Sequence, residues 1–145
     1  MPLDRSYIQL NRTSTDRLRA LAARLTDADL QRRVGEHWTV AIVFAHLAFL
    51  DRRALYVLEA TQREGKVVNP DWNVFVNDVA LPLWAAIPPR EAARLAIECA
   101  EAVDKILEEY PPDLLELILA EYKRYIFRAY HRNEHLDEVD TALKS

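Results

Sequence analysis

A lone cysteine, Cys99, leaves the chain without an internal disulfide, so its fold rests on packing, as suits the reducing cytoplasm in which we expect it to work. Glycine is almost as scarce. The two present, Gly35 and Gly65, are too far apart to form a glycine-rich phosphate loop, which excludes the nucleotide-binding folds built on one. No apolar stretch approaches the roughly 20 residues of a membrane span. The longest, Val40 to Leu50, is interrupted by a histidine. Asp4 and Arg5 fall where a secretory leader would carry its apolar segment, so no leader is expected. Positive charge is not in excess: 19 Lys and Arg against 23 Asp and Glu leave a net charge of -4, without the basic field that nucleic-acid binding requires. Alternation with period two between turn residues is also missing, so no strands are expected.

What the chain has is helical periodicity in an ordinary globular composition, 50% apolar and 29% charged over 145 residues, the size of one domain spanning 1–145. The glycines and most of the prolines fall between periodic segments. The reading is a helix from about Asp4 to Leu25, then a short one from Asp27 to Val34 capped by Thr26 and Asp29. Long helices follow from Val40 to Glu64, from Pro70 to Trp84, from Pro89 to Tyr110 and from Asp113 to Leu143. Pro82 should kink or end its helix.

Two stripes mark seams of a bundle: Val40, Val43, Leu47, Leu50, Ala54 and Val57 on one helix, and Ala92, Leu95, Cys99, Ala102, Ile106 and Tyr110 on another. On the last helix Leu119, Tyr122, Ile126 and Ala129 share a face that turns polar at Asn133 and Asp140. The fold class expected is all-α, a four-helix bundle with short extra helical segments.

Of four histidines, His131 and His135 stand one helical turn apart, so both imidazoles can reach one ion. His46 lies beside the apolar seam between Val43 and Leu47, where a buried imidazole needs either a hydrogen-bond partner or a metal. His37, next to Gly35 and Glu36, reads as a solvated loop residue. The stretch from His131 to His135 fits the H-x-x-E-H pattern with Glu134 as a general base, but only ten residues follow it, with no further acidic ligand well downstream. That reading is set aside, and no nucleophile signature of a Ser-His-Asp triad is found.

The segment Gly35, Glu36, His37, Trp38, Thr39, Val40, then Ile42 to Leu47, resembles the G-x-x-W-[ST]-V-x-x-[IV]-x-x-H-L signature of the DinB/YfiT-like superfamily. The ending Tyr130 to Val139 resembles that superfamily's closing H-x-x-E-H-x-x-[EQ][IV]. The resemblance implies a DinB-like four-helix bundle whose three-histidine metal site maps onto His46, His131 and His135. It also implies the company of bacillithiol- or mycothiol-dependent S-transferases and of a mycothiol-dependent maleylpyruvate isomerase.

Three protein ligands leave an open coordination position, the arrangement of catalytic rather than structural sites. The functional expectation is therefore a divalent-metal enzyme, which the resemblance narrows to a thiol-dependent S-transferase, with a hydrolase also compatible with the open position. Zinc is the first choice of ion, and nickel, iron or copper are also compatible with imidazole. The alternative is a non-catalytic metal-binding module or a stress-related protein-interaction domain. The expected partners are a small-molecule substrate, including a low-molecular-weight thiol, and a second copy of the chain in a homodimer. Asp51, Asn77 and Tyr130 are candidates for orienting polar groups, and Trp38, Trp72 and Trp84 for the walls of a pocket.

Overall fold

The computed structural model describes residues 3–69 and 73–144. Its elements in chain order are α1 (Tyr7–Arg24), α2 (Asp27–Leu30), β1 (Arg33–Val34), β2 (Trp38–Thr39), α3 (Val40–Glu64), α4 (Phe75–Ala86), α5 (Pro89–Glu108), α6 (Pro112–Glu121), a 3-10 turn (Lys123–Tyr125) and α7 (Arg128–Lys144). The four long helices α1, α3, α5 and α7 form the bundle. In it α3 packs chiefly on α5, α1 touches α5 and α7, and α4 lies on α3.

The ends of α3 follow from local chemistry. Thr39 caps the start, its hydroxyl accepting from the Ile42 amide at 3.2 Å, and Gly65 ends the helix in the left-handed region at φ 72°. The Thr26 and Asp29 capping box is formed at α2 as expected.

Four expectations are corrected. A two-residue antiparallel ladder, Arg33 opposite Thr39 and Val34 opposite Trp38, closes over Gly35. It is too short to show any alternation. Pro82 does not end its helix, because α4 continues to Ala86. The carbonyl that Pro82 cannot serve belongs to exposed Asp78, where water can take it. The start expected at Pro70 lies outside the described residues, and the described part of this helix begins at Phe75.

On α5 the core face is Ala92, Ala93, Ala96, Ala100, Val103 and Leu107, whereas Leu95, Cys99 and Ile106 are half-buried and Ala102 is exposed. The small face allows close approach to α3, which presents Ala41, Ala45, Ala48 and Ala54 among its buried residues.

The last expected helix is broken between Glu121 and Arg128. The break drops Ile126 and Phe127 into the core, and Asn11 of α1 takes up the backbone groups it frees. The Asn11 amide donates to the Ile126 carbonyl at 2.8 Å, and its side-chain oxygen accepts from the Ala129 amide at 2.9 Å.

The core has two apolar halves. One gathers Leu18, Leu21, Val43, Leu47, Ala96 and Leu136, and the other gathers Tyr7, Leu58, Leu107, Leu115, Ile118 and Ile126. Full burial of each large side chain contributes about 1.5–3 kcal/mol.

Between the halves, one polar layer is assembled from all four long helices: Asn11, Ser14 and Thr15, then Asp51, Asp104, Arg128 and Arg132. Arg132 is fully buried and every donor is used. Its Nε donates to Asp51 at 2.9 Å, and Nη1 to the Asn11 carbonyl, Ser14 and Thr15 at 3.0–3.2 Å. Its Nη2 pairs with Asp104 at 3.0 Å. The other oxygen of Asp51 accepts from Arg128 Nε at 2.8 Å.

Removing Asp51 strands the buried guanidinium of Arg128 and takes from Arg132 one of its two carboxylates. Such a loss costs about 3–5 kcal/mol, because the charge left behind stays buried. We expect Asp51→Ala to lower the urea midpoint, with a loss of unfolding free energy of that size, read by circular dichroism at 222 nm. Arg94→Ala, which removes an exposed pair with Glu91 and Glu98, should leave the midpoint in place. An Asp51→Ala midpoint matching wild type would contradict the assignment of this layer.

Candidate metal centre

His46 sits on the inner face of α3 with 3% of its surface exposed, two turns after the Thr39 cap that sets where the helix begins. His131 and His135 stand in successive turns of α7, half-buried, and turn toward it. One ring nitrogen from each of the three lies within 4.8 Å of the others. The ring centroids are 5.1 Å apart for His46 and His131, 4.6 Å for His46 and His135, and 4.8 Å for His131 and His135.

The closest pair is His46 Nε2 and His131 Nε2, at 3.1 Å. With metal–nitrogen bonds of about 2.0–2.1 Å, two ligands of a tetrahedral ion stand about 3.3 Å apart, so this separation fits a shared ion. On all three rings Nδ1 is buried and has no hydrogen-bond partner among the described residues. Glu138 stands 3.6 Å from His135 Nδ1, beyond hydrogen-bond length.

Packing therefore orients the rings. Trp38 lies 4.8 Å from the His46 ring centroid and stacks over His135 at 6.0 Å. Trp84 of α4 meets His46 edge-on at 5.1 Å.

This environment keeps the imidazoles neutral. Burial pushes His131 down to about 2, with the Arg128 charge as the next cause. Burial likewise lowers His46 to about 3, with the charges of His135 and Arg128 adding to it. His135 is also lowered by burial, against the opposing pull of Glu138 and Glu134. Neutral imidazole is the form that binds a metal. Among the described residues no carboxylate joins the group, so a divalent ion there would keep its full charge and seek an anionic fourth ligand.

The remaining candidates are placed as follows. His37 is a solvated loop residue beside Glu36, away from the group. Glu134 points outward and pairs with Arg124 at 2.9 Å, so it cannot act as a base at the cluster. Tyr130 is exposed and stacks on Phe127, and Asn77 is half-buried on α4 with its oxygen unpartnered. Asp51 belongs to the buried layer. Trp72 lies outside the described residues.

The polar turn at Asn133 and Asp140 has a structural cause, since Arg17 of α1 bridges Asn133, Asp137 and Asp140 at 2.8–3.1 Å. Sequence reasoning missed Arg128 and Arg132, which bracket His131 at one turn before it and one residue after it. The signal available was their i,i+4 spacing on the helix that carries the histidines, together with an aspartate directly after the apolar run of α3.

The lowered histidines predict how metal-free protein responds to acid. Unfolded, each imidazole takes up a proton near pH 6.5, whereas in the fold His46 resists protonation until about 3. Across that window the unfolded state binds more protons, so stability falls as pH falls from 6.5 toward 4.5, by about 1 kcal/mol per pH unit per histidine. Urea titrations of chelator-treated protein should show this slope, and His46→Phe should remove its share. Stability that stays flat from pH 6.5 to 4.5 would contradict the buried neutral assignment.

Among known proteins, the family model described as the mycothiol maleylpyruvate isomerase N-terminal domain matches residues 11–117. The matched stretch runs from α1 into α6 and contains His46, while His131 and His135 lie beyond it. No curated protein and no solved structure matches. The resemblance read in the sequence is thereby placed, and with most of its length under the match the chain belongs to the mycothiol maleylpyruvate isomerase N-terminal domain family, a DinB-like family.

Proposed function

We propose that this chain is a divalent-metal-dependent enzyme in which His46, His131 and His135 hold the ion, and that its reaction is the transfer of a low-molecular-weight thiol to an electrophilic small molecule. The observation that carries the reading is the convergence of three neutral imidazoles from two helices, one buried and two half-buried, two of them with Nε2 atoms 3.1 Å apart. The thiol is supported by the name of the family, which joins an isomerase to mycothiol.

When bound, a divalent ion supplies Lewis acidity and favours the thiolate over the thiol. Zinc suits this best, being compatible with both imidazole and sulfur, and nickel or iron stand as alternatives. The protein's part is to hold three ligands in register and keep water from one side of them. Trp38, Trp84 and Phe49 form that dry wall around His46. On the other side His131 lines an open cleft that also presents Leu50, Tyr122 and Tyr125, through which a substrate can approach. If water is the second reactant, the reaction is hydrolysis.

No helix of the described residues is long and apolar enough to cross a membrane. We place the chain in the cytoplasm as one domain that pairs into a homodimer. Exposed Phe75, Val79 and Leu83, one turn apart on α4, support the pairing. The expected light-scattering mass is twice the 16.8 kDa of one chain, and a mass of one chain would remove the dimer.

Purified protein should carry close to one divalent ion per chain by elemental analysis. Free metal at about a thousand times its dissociation constant should stabilise the fold by about 4 kcal/mol, a gain lost on chelation. His46→Ala, His131→Ala and His135→Ala should each abolish that metal-linked melting shift, and His37→Ala should keep it. The same three variants should lose turnover across a panel of thiols with electrophiles and of hydrolysable esters. A metal-linked shift without any turnover would turn the reading to a non-catalytic metal-binding module, and equal metal loss in His37→Ala would overturn the ligand set.

A further inference from the structure

The cleft beside His131 has a volume of about 690 Å³, within the range of small-molecule sites. Among the described residues Arg53, Lys123, Arg124 and Arg128 line it with one acid, Glu121, while Arg124 is held by Glu134 and Arg128 by Asp51.

Arg128 differs from the others in its burial, with 5% of its surface exposed. Its donors divide unevenly. Nε is committed to Asp51 at 2.8 Å and Nη1 to the Arg124 carbonyl at 3.0 Å. Nη2 is buried and has no hydrogen-bond partner among the described residues. Arg132, one turn on, leaves no nitrogen unpaired, so the layer is able to satisfy a guanidinium fully, and at Arg128 it stops one nitrogen short. A buried, uncompensated N–H pair on a cation is costly unless a ligand completes it. Arg128 and His131 lie one turn apart on α7 and line the same cleft.

We propose that Arg128 Nη2 is an anion subsite that receives a carboxylate of a small organic substrate whose reactive end lies toward the three histidines. Its location next to the chemistry rests on the metal-centre reading; the subsite itself does not. A single nitrogen with two N–H groups matches one carboxylate, whereas a phosphate dianion would need several donors to offset its desolvation. Leu50, Tyr122 and Tyr125 supply the apolar walls for an organic body rather than a bare ion.

The test uses the full chain, both as purified and stripped with a chelator, titrated calorimetrically with phenylacetate, its neutral counterpart phenylacetamide, and inorganic phosphate. Stripped wild type should bind phenylacetate at least tenfold more tightly than phenylacetamide or phosphate. Arg128→Lys should abolish the preference, and Lys123→Gln should keep most of it. In case Arg128→Lys does not fold, guanidinium resonances of wild type are followed by ¹⁵N NMR, with one buried arginine signal shifting on adding phenylacetate and not on adding phenylacetamide. Equal binding of acid and amide, phosphate binding as tightly as the acid, a preference that survives Arg128→Lys, or no shift of a buried guanidinium overturns the proposal. A preference in protein that takes up no metal upholds the subsite and removes the metal reading, and metal uptake without the preference does the reverse.

Discussion

One carboxylate, that of Asp51, is shared by two buried arginines, and the placement of α7 depends on it. Asp51 lies little more than a turn beyond His46 on α3, and Arg128 and Arg132 flank His131 on α7. Each guanidinium takes one oxygen, so a slip of α7 by a single turn would leave at least one charge buried without its partner. Such a loss costs several kcal/mol, more than α7 could recover from the apolar contacts of a shifted register. The ion network thus sets the register that turns His131 and His135 toward His46.

The network has a second consequence in the electrostatics of the centre. Two positive and two negative groups nearly balance within the layer, leaving the imidazoles to be governed mostly by burial. Burial disfavours their protonation, and Arg128 adds to that effect at His46 and His131. The chain thereby maintains a donor set without negative charge in a low-dielectric setting. A divalent cation bound to such a set would be held only through neutral nitrogen and would stay electron-poor toward an anion entering from the cleft.

Much of this was legible in the sequence where the cause was local. The bounds of α3 agree because a threonine cap and a left-handed glycine end it, and the α2 capping box agrees for the same reason. The grouping of His46 with the α7 pair came from helical spacing together with the resemblance at the two ends of the chain. What was missed depends on distant partners. The stripe Leu119, Tyr122, Ile126 and Ala129 continues through a point where the helix stops, because the groups that allow it to stop belong to Asn11, more than a hundred residues away. The α5 face was misjudged because larger Leu95 and Ile106 outweighed the alanines in the pattern, although the alanines meet α3. Arginine on a helix ordinarily reads as solvated, so only Asp51, directly after the apolar run Val40 to Leu50, hinted that Arg128 and Arg132 turn inward.

The measurement that bears most directly on the account is a crystal structure of zinc-loaded protein with diffraction collected on both sides of the zinc absorption edge. We expect one anomalous peak among the rings, about 2.0–2.1 Å from a nitrogen of each of His46, His131 and His135. The Asp51 carboxylate should remain on Arg128 and Arg132. A peak elsewhere, or a zinc ion held by fewer than these three rings, would contradict it.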